Sequence, residues 1–209
     1  MIRKLAEADP RQGFFEQEQF DVLIEALPEY LQDMVRFAYL CGWRKGEIIS
    51  LTWSMVNMKA GTITLPTSKS KNGKPRTLEL DGDILAILKR REQARLVETK
   101  DGEPMVAMYV FHRAGQPIGD FKKAWHSALV KAGLTHTEKV LGSKKVRVVH
   151  DRIFHDLRRT AARNMLAAGV RESVAMRVTG HATRSMFDRY AITSGDDVRA
   201  AMQAVSAAR

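Results

Sequence analysis

The sequence predicts a mainly helical domain that carries one small antiparallel sheet, on three observations. Apolar residues recur at helical spacing along most of the chain. Three short β-prone runs, Met55-Val56-Asn57, Thr62-Ile63-Thr64-Leu65 and Thr77-Leu78-Glu79-Leu80, are separated by Ala60-Gly61 and Asn72-Gly73. The chain's 209 residues, 44% hydrophobic and 28% charged, suffice to bury a core as one large domain or two small ones.

Residues 1–13 are polar, hold Pro10 and Gly13 and show no sustained period, which reads as a tail or linker. Phe20, Leu23, Ile24 and Leu27 then follow the helical template up to Pro28, and Leu31, Met34, Val35 and Ala38 repeat it up to Gly42. In Trp43-Arg44-Lys45-Gly46-Glu47-Ile48, Arg44 and Glu47 share one helix face, while Ile48 and Leu51 share another. A surface ion pair at that spacing contributes little. This one follows a helix-ending glycine and lies between Trp43 and Trp53, where an arginine can be buried and aimed.

The second turn of the predicted sheet carries Lys69, Lys71, Lys74 and Arg76 with no acid among them. Such a tip is either simply solvated or shaped to reach a DNA groove or a phosphate. Ile84, Leu85, Ile87 and Leu88 begin a helix that runs into Arg90-Arg91-Glu92, and Pro104 to Phe111 is an apolar run whose type the pattern leaves open. Asp120 caps a helix with Phe121, Ala124, Trp125, Ala128 and Leu129 on one stripe, Trp125 being read as core, and Gly133 stops it. Residues 134–152 are polar and basic (Lys139, Lys144, Lys145, Arg147, Arg152) and read as a loop, lying against a DNA backbone or exposed. Val198, Met202 and Val205 suggest a short last helix.

The 34 lysines and arginines outnumber the 24 acids for a formal charge of +10, the footprint of a polyanion binder or of a merely basic protein. Cys41 is the single cysteine, so neither an intrachain disulfide nor a cysteine zinc cluster can form, and a reducing, cytoplasmic setting fits. No run of about 18 apolar residues is present to span a bilayer. The N-terminus lacks a signal-peptide core, so a soluble, unexported protein with no membrane partner is expected.

Two constellations carry chemistry: Phe154-His155-Asp156-Leu157-Arg158-Arg159-Thr160, and Thr179-Gly180-His181 followed nine residues later by Tyr190. The first puts His155 and Arg158 together on a helix whose apolar side is Leu157, Ala161 and Met165. Taken alone, each has a plainer reading, a solvated or salt-bridged helix face and a tyrosine at the core edge. With Arg44 and Lys71 they suit attack on a phosphodiester, whose transition state gathers negative charge that fixed donors stabilise. Arg44 and Arg158 would clamp the phosphate through planar, permanently charged forks. His155 and His181 would donate or move a proton, and Lys71 would protonate the departing oxygen. Tyr190, an ordinary phenol with a pKa of about 10, would need such a cationic site to attack. No acidic cluster of the two-metal type is evident, and the scheme needs no metal.

The ordered set Arg44, Lys71, His155, Arg158, His181 and Tyr190 resembles the catalytic signature of the tyrosine recombinase (phage integrase) family, over nearly the whole chain from about Phe14 onward. The resemblance implies the mainly α catalytic-domain fold of that family with a small three-stranded sheet. It implies a 3′-phosphotyrosyl DNA intermediate with a free 5′-hydroxyl, and strand exchange through a Holliday junction in a homotetramer on double-stranded DNA, without ATP, metal or other cofactor. Away from DNA the chain would be monomeric or weakly associated, and accessory DNA-bending proteins are admissible partners. By the same matching Lys71 is the general acid, with Lys69 and Lys74 as the other choices, and Glu47 supports Arg44. Lys69, Lys74, Arg76, Lys144, Lys145 and Arg159 are the expected DNA contacts. The expected division is a tail or linker remnant at 1–13, the catalytic domain at 14–192, and a tail helix at 193–209 that packs on a neighbouring protomer. Thr179 stands where the family more often has leucine, and the chain has no room for the N-terminal clamping domain usual in the family. It therefore reads as a catalytic-domain fragment or a short natural variant. A type IB topoisomerase-like enzyme and an inactive prophage-remnant DNA-binding protein are the competing readings.

Overall fold

The computed structural model describes residues 13–70, 73–99, 101–140, 142–143, 145–188, 199, 202–203 and 206. Helix α1 (Gln17–Ala26) opens with a capping box between Glu16 and Gln19, and α2 (Glu29–Cys41) follows Pro28, whose missing N–H ends the previous helix. Gly42 caps α2 in the left-handed conformation, its N–H donating to the Ala38 carbonyl at 2.9 Å. The chain then turns at once into α3 (Lys45–Ile49).

Strands β1 (Val56–Asn57), β2 (Thr62–Leu65) and β3 (Arg76–Glu79) form an antiparallel sheet in that order. Ile63 opposes Leu78 and Leu65 opposes Arg76, and all four side chains face inward. Residues 66–75, with a 3₁₀ turn at Thr67–Lys69, join β2 to β3.

Helix α4 (Gly82–Gln93) is capped by the Asp81 carboxylate, and α5 (Lys122–Lys131) receives Asp120 Oδ1 on the Lys122 N–H at 2.9 Å. Between them lie the short hairpins β4 (Leu96–Glu98) with β5 (Pro104–Val106) and β6 (His112–Arg113) with β7 (Gln116–Pro117). The apolar run left open in the sequence thus becomes β5 and a turn that buries Val110 and Phe111.

The loop expected at 134–152 is instead an antiparallel hairpin, β8 (Thr135–Lys139) with β9 (Val146–His150). Its alternation of Val146 and Val148 with Arg147 fits a strand, Glu138 accepts from Arg147 Nη2 across it at 2.7 Å, and His150 stacks on His126 of α5 at 3.9 Å.

Helices α6 (Asp156–Ala167), α7 (Glu172–Thr179) and α8 (Arg184–Asp188) complete the described domain. The main core joins α1, α2, α5 and the sheet, with Leu31, Met34, Phe37, Trp43, Ile48, Leu65, Trp125 and Leu157 all buried. A second cluster of Ala162, Ala175 and Phe187 fastens α8 to α6 and α7. In the expected tail helix, Arg199, Met202, Gln203 and Ser206 are helical and Ser206 Oγ donates to the Met202 carbonyl at 2.9 Å, while Val198 and Val205 lie outside the described residues. Among the described residues, no helix is long and apolar enough to cross a membrane.

Gly42 sits where α2, α6 and α7 meet. Its φ is +64°, and an added Cβ would lie 3.0 Å from Ala161 Cβ and 3.1 Å from Thr179 Cγ2. Gly42→Ala is expected to cost about 1–3 kcal/mol through the left-handed backbone alone, with crowding added. Urea unfolding of both forms measures it, and an unchanged midpoint at unchanged slope contradicts it.

Candidate active site

The site is assembled on a buried carboxylate. Arg44 is the N-cap residue of α3, and Glu47 at the third helical position reaches back to it. Glu47 Oε2 accepts the Arg44 backbone N–H at 2.9 Å, and Oε1 accepts Arg44 Nη1 at 3.1 Å. Oε2 also accepts Arg76 Nη2 at 2.7 Å. Glu47 is only 3% exposed. Burial acts to raise its pKa, but the Arg44 N–H, the charge and hydrogen bond of Arg76 and the charge of Arg44 outweigh it, and the net shift is downward.

The second hub is a backbone carbonyl. Arg158, 2% exposed on α6, sends Nη1 to the Gly42 carbonyl at 2.6 Å and to the Thr179 carbonyl. Arg76 Nη1 reaches the same Thr179 carbonyl at 3.3 Å, and its guanidinium lies over the Trp43 ring at 4.7 Å. Trp43 Nε1 in turn donates to the Val178 carbonyl at 3.0 Å. Arg44, Glu47, Arg76, Thr179 and Arg158 therefore form one chain of contacts spanning α3, β3, α7 and α6. Gly180, left-handed at φ +73°, closes α7, and any Cβ there would collide with Arg76 Nη1.

The histidines complete the pocket. His155 stands exposed at the N-cap position of α6 without a side-chain cap bond, and the fully buried Asp156 beside it accepts the Ile153 N–H at 2.8 Å. Desolvation of the His155 ring lowers its pKa, and Arg158 and Arg159 add to the effect. His181, buried just past α7, contacts Thr179 Oγ1 through Nδ1 at 2.7 Å and meets the Phe187 ring edge-on at 5.3 Å. Burial, then the charges of Arg158, Arg44, His155 and Arg76, push its pKa down to about 3. Arg44, Arg76, Arg158 and His155 thus all act on the His181 ring and share with it one neighbourhood. Net positive and built of oriented donors, it can hold an oxyanion such as a phosphate and stabilise added charge on it.

Of the sequence-predicted residues, Arg44, His155, Arg158 and His181 converge here, with Glu47 beneath Arg44. Lys71, Tyr190 and Lys144 lie outside the described residues. Lys69 and Lys74 are exposed on the β2–β3 connection, and Lys145 is exposed on the separate β8–β9 hairpin. Arg76, expected at a hairpin tip as a DNA contact, is instead buried at 8% exposure, turned inward by strand parity and held by Glu47. Arg159, another expected DNA contact, is half-buried with its guanidinium 3.5 Å from the Asp156 carboxylate. The sequence reading missed Arg76 as an internal strut and Thr179 as a hub. The alternation Arg76, Leu78, Leu80 was the signal for the first, since those three share the inward face.

A cleft of about 630 Å³ is lined by Ile49, Phe121, Trp125, Ile153 and Phe154 with Lys45, Lys122 and His126 at its wall, and Arg44, Arg76, Arg158, His155 and His181 do not line it. Among the described residues, no group of three histidine, cysteine, aspartate or glutamate side chains is placed to hold a metal ion.

Known proteins resemble this chain in sequence and in fold. The model of the phage integrase family matches residues 14–195. The chain is 26% identical to the integrase of Salmonella phage P22 over 181 residues, covering 81% of this chain and 41% of that protein. It is 24% identical to tyrosine recombinase XerD of Pseudomonas putida over 166 residues, 79% of this chain and 50% of that one. The chain thus spans half or less of the length of these curated relatives. Among solved structures, the fold matches XerA recombinase with a TM-score of 0.64 at 20% identity, over 91% of this chain and 64% of that one. It matches a lambda integrase dimer bound to a core site with a TM-score of 0.67 at 17% identity, over 92% of this chain and 63% of that one.

The depressed pKa of His181 has a thermodynamic consequence. Below the ordinary value of 6.5 the unfolded chain binds a proton that the folded site refuses down to about pH 3. The unfolded state then holds more protons, so stability falls as pH drops through that window. His181→Asn is expected to lose less stability than wild type between those limits, measured by denaturant unfolding at each pH. Parallel pH dependences for the two proteins contradict it.

Proposed function

Because the chain belongs to the phage integrase family, we propose that it is the DNA strand-cleaving and rejoining part of a site-specific recombinase. The convergence of Arg44, His155, Arg158 and His181 on one net-positive site, with Arg158 and His181 buried and His155 exposed, carries this reading, in a chain whose family match extends past Tyr190. Arg44 and Arg158 grip the non-bridging oxygens of one phosphodiester. Tyr190 Oη attacks the phosphorus and passes its proton to an imidazole of the site, His155 or His181, the bond to the 5′-oxygen breaks, and Lys71 gives that oxygen a proton. The product is a 3′-phosphotyrosyl link and a free 5′-hydroxyl, and attack by a partner strand's 5′-hydroxyl reverses the step. Bond energy is kept in the phosphotyrosyl ester, so rejoining needs no ATP.

Double-stranded DNA is the proposed partner, with Lys69 and Lys74 reaching its backbone from the β2–β3 connection and Lys145 from the β8–β9 hairpin. A tetramer is the proposed working assembly, with the segment 193–209 packing on a neighbouring protomer. In support, one similar structure is a lambda integrase tetramer bound to a Holliday junction, matched with a TM-score of 0.65 at 16% identity. The place of action is the compartment that holds the DNA.

Covalent trapping tests the chemistry. Labelled, nicked duplexes carrying the DNA that flanks the gene are incubated in EDTA with wild type and with Tyr190→Phe, then run on a denaturing gel. A protein-linked band with wild type alone is expected. A band that persists in Tyr190→Phe, or DNA binding without any band for wild type, overturns the proposal.

A further inference from the structure

Thr179 offers the site more than its carbonyl. It is fully buried at the last position of α7, and its hydroxyl has two close partners: the Ala175 carbonyl at 2.7 Å and His181 Nδ1 at 2.7 Å. A hydroxyl has one proton to give. The carbonyl can only accept, so the proton belongs on the line to Ala175. If it went to Nδ1 instead, two oxygens bearing only lone pairs would face each other at 2.7 Å in a buried site. The Oγ1 to Nδ1 contact is then satisfied in one way, with Nδ1–H donating to the threonine oxygen.

We propose that Thr179 is a positioning residue that fixes His181 in the Nδ1–H tautomer, so that its Nε2 meets the reacting DNA as a proton acceptor. The proposal deepens the recombinase reading and rests on it for the statement that DNA reaches this ring. The surroundings agree with it. The charged and titratable groups bearing on the ring are Arg158 from α6, Arg44 before α3, Arg76 from β3 and His155 before α6, with the Phe187 ring of α8 against its side. Burial, with three permanent cations nearby, holds the imidazole neutral, and a neutral imidazole has one donor and one acceptor nitrogen. With the donor committed to Thr179, the nitrogen left to face the substrate carries a lone pair. Beside the guanidinium donors, the imidazoles of His181 and His155 are the groups able to take up a proton, which for His181 requires the negative charge of a bound phosphate to offset the neighbouring cations. A hydrogen bond from Nε2 to a phosphate oxygen requires the ring first to take up a proton, while its Nδ1–H stays on Thr179.

The test is side-chain ¹⁵N spectroscopy of His181 in the DNA-free chain, above pH 6.5, for wild type, Thr179→Val and Thr179→Ser. The wild type is expected to show a protonated Nδ1 and a bare Nε2. Thr179→Val, which keeps shape and removes the oxygen, is expected to shift the ring toward the Nε2–H form, and Thr179→Ser to restore the wild-type pattern. A wild-type ring protonated on Nε2, or a Thr179→Val ring identical to wild type, overturns the proposal. The wild-type spectrum decides the tautomer even if Thr179→Val does not fold. No DNA is present, so this result is read separately from the trapping experiment.

Discussion

The ion pair between Glu47 and Arg76, 2.7 Å long and buried on both sides, is the contact on which the site depends. Each partner has a second task. Glu47 holds Arg44 by its backbone and its guanidinium, and Arg76 holds the end of α7 by the Thr179 carbonyl. Desolvating two charges is expensive, and a pair of this kind often adds little net stability over an apolar pair. What it supplies here is placement: it ties three segments far apart in sequence to one point, so that Arg44 and Arg158 face the same volume. The remaining positive charge is left over for an anion brought from outside.

Several backbone choices follow from that arrangement. Gly42 must be left-handed to turn α2 directly into Arg44, and its carbonyl becomes a partner of Arg158. Gly180 must lack a Cβ because the Arg76 guanidinium occupies that space. Trp43 gives Arg76 an aromatic face on which to lie, and its indole N–H fixes the last turn of α7. Phe187 then locks α8, the helix leading toward Tyr190, against α6, α7 and the His181 ring. The histidine's neutrality is a result of the same crowding, since burial first, and then the cations that prepare the site for phosphate, deny the ring its proton.

Much of this was legible in the sequence. Gly42 with Arg44 and Glu47, His155 with Arg158, and Gly180 with His181 are local patterns, whose spacing on a helix or at its end already puts their side chains together. The mainly helical class and the three-stranded sheet followed from apolar periodicity and glycine turns. Arg76 was misread because it was grouped with the lysines beside it in the chain, whereas strand parity set it with Leu78. The β8–β9 hairpin was missed because its exposed ladder, built on Glu138 with Arg147 and on backbone pairing, has no buried apolar face to betray it. The role of Thr179 depends on a contact between α7, α6 and β3, and no spacing within one segment encodes it.

The claim that the Glu47–Arg76 pair organises the site is tested most directly by a double-mutant cycle in urea unfolding. It compares wild type, Glu47→Gln, Arg76→Met and the double variant, each at the same pH. The account predicts that either single change is costlier than its share of the double, because each strands a buried charge, with a coupling energy of about 1–3 kcal/mol. Additivity within about 0.5 kcal/mol would contradict it, and would mean that the two side chains keep their positions independently.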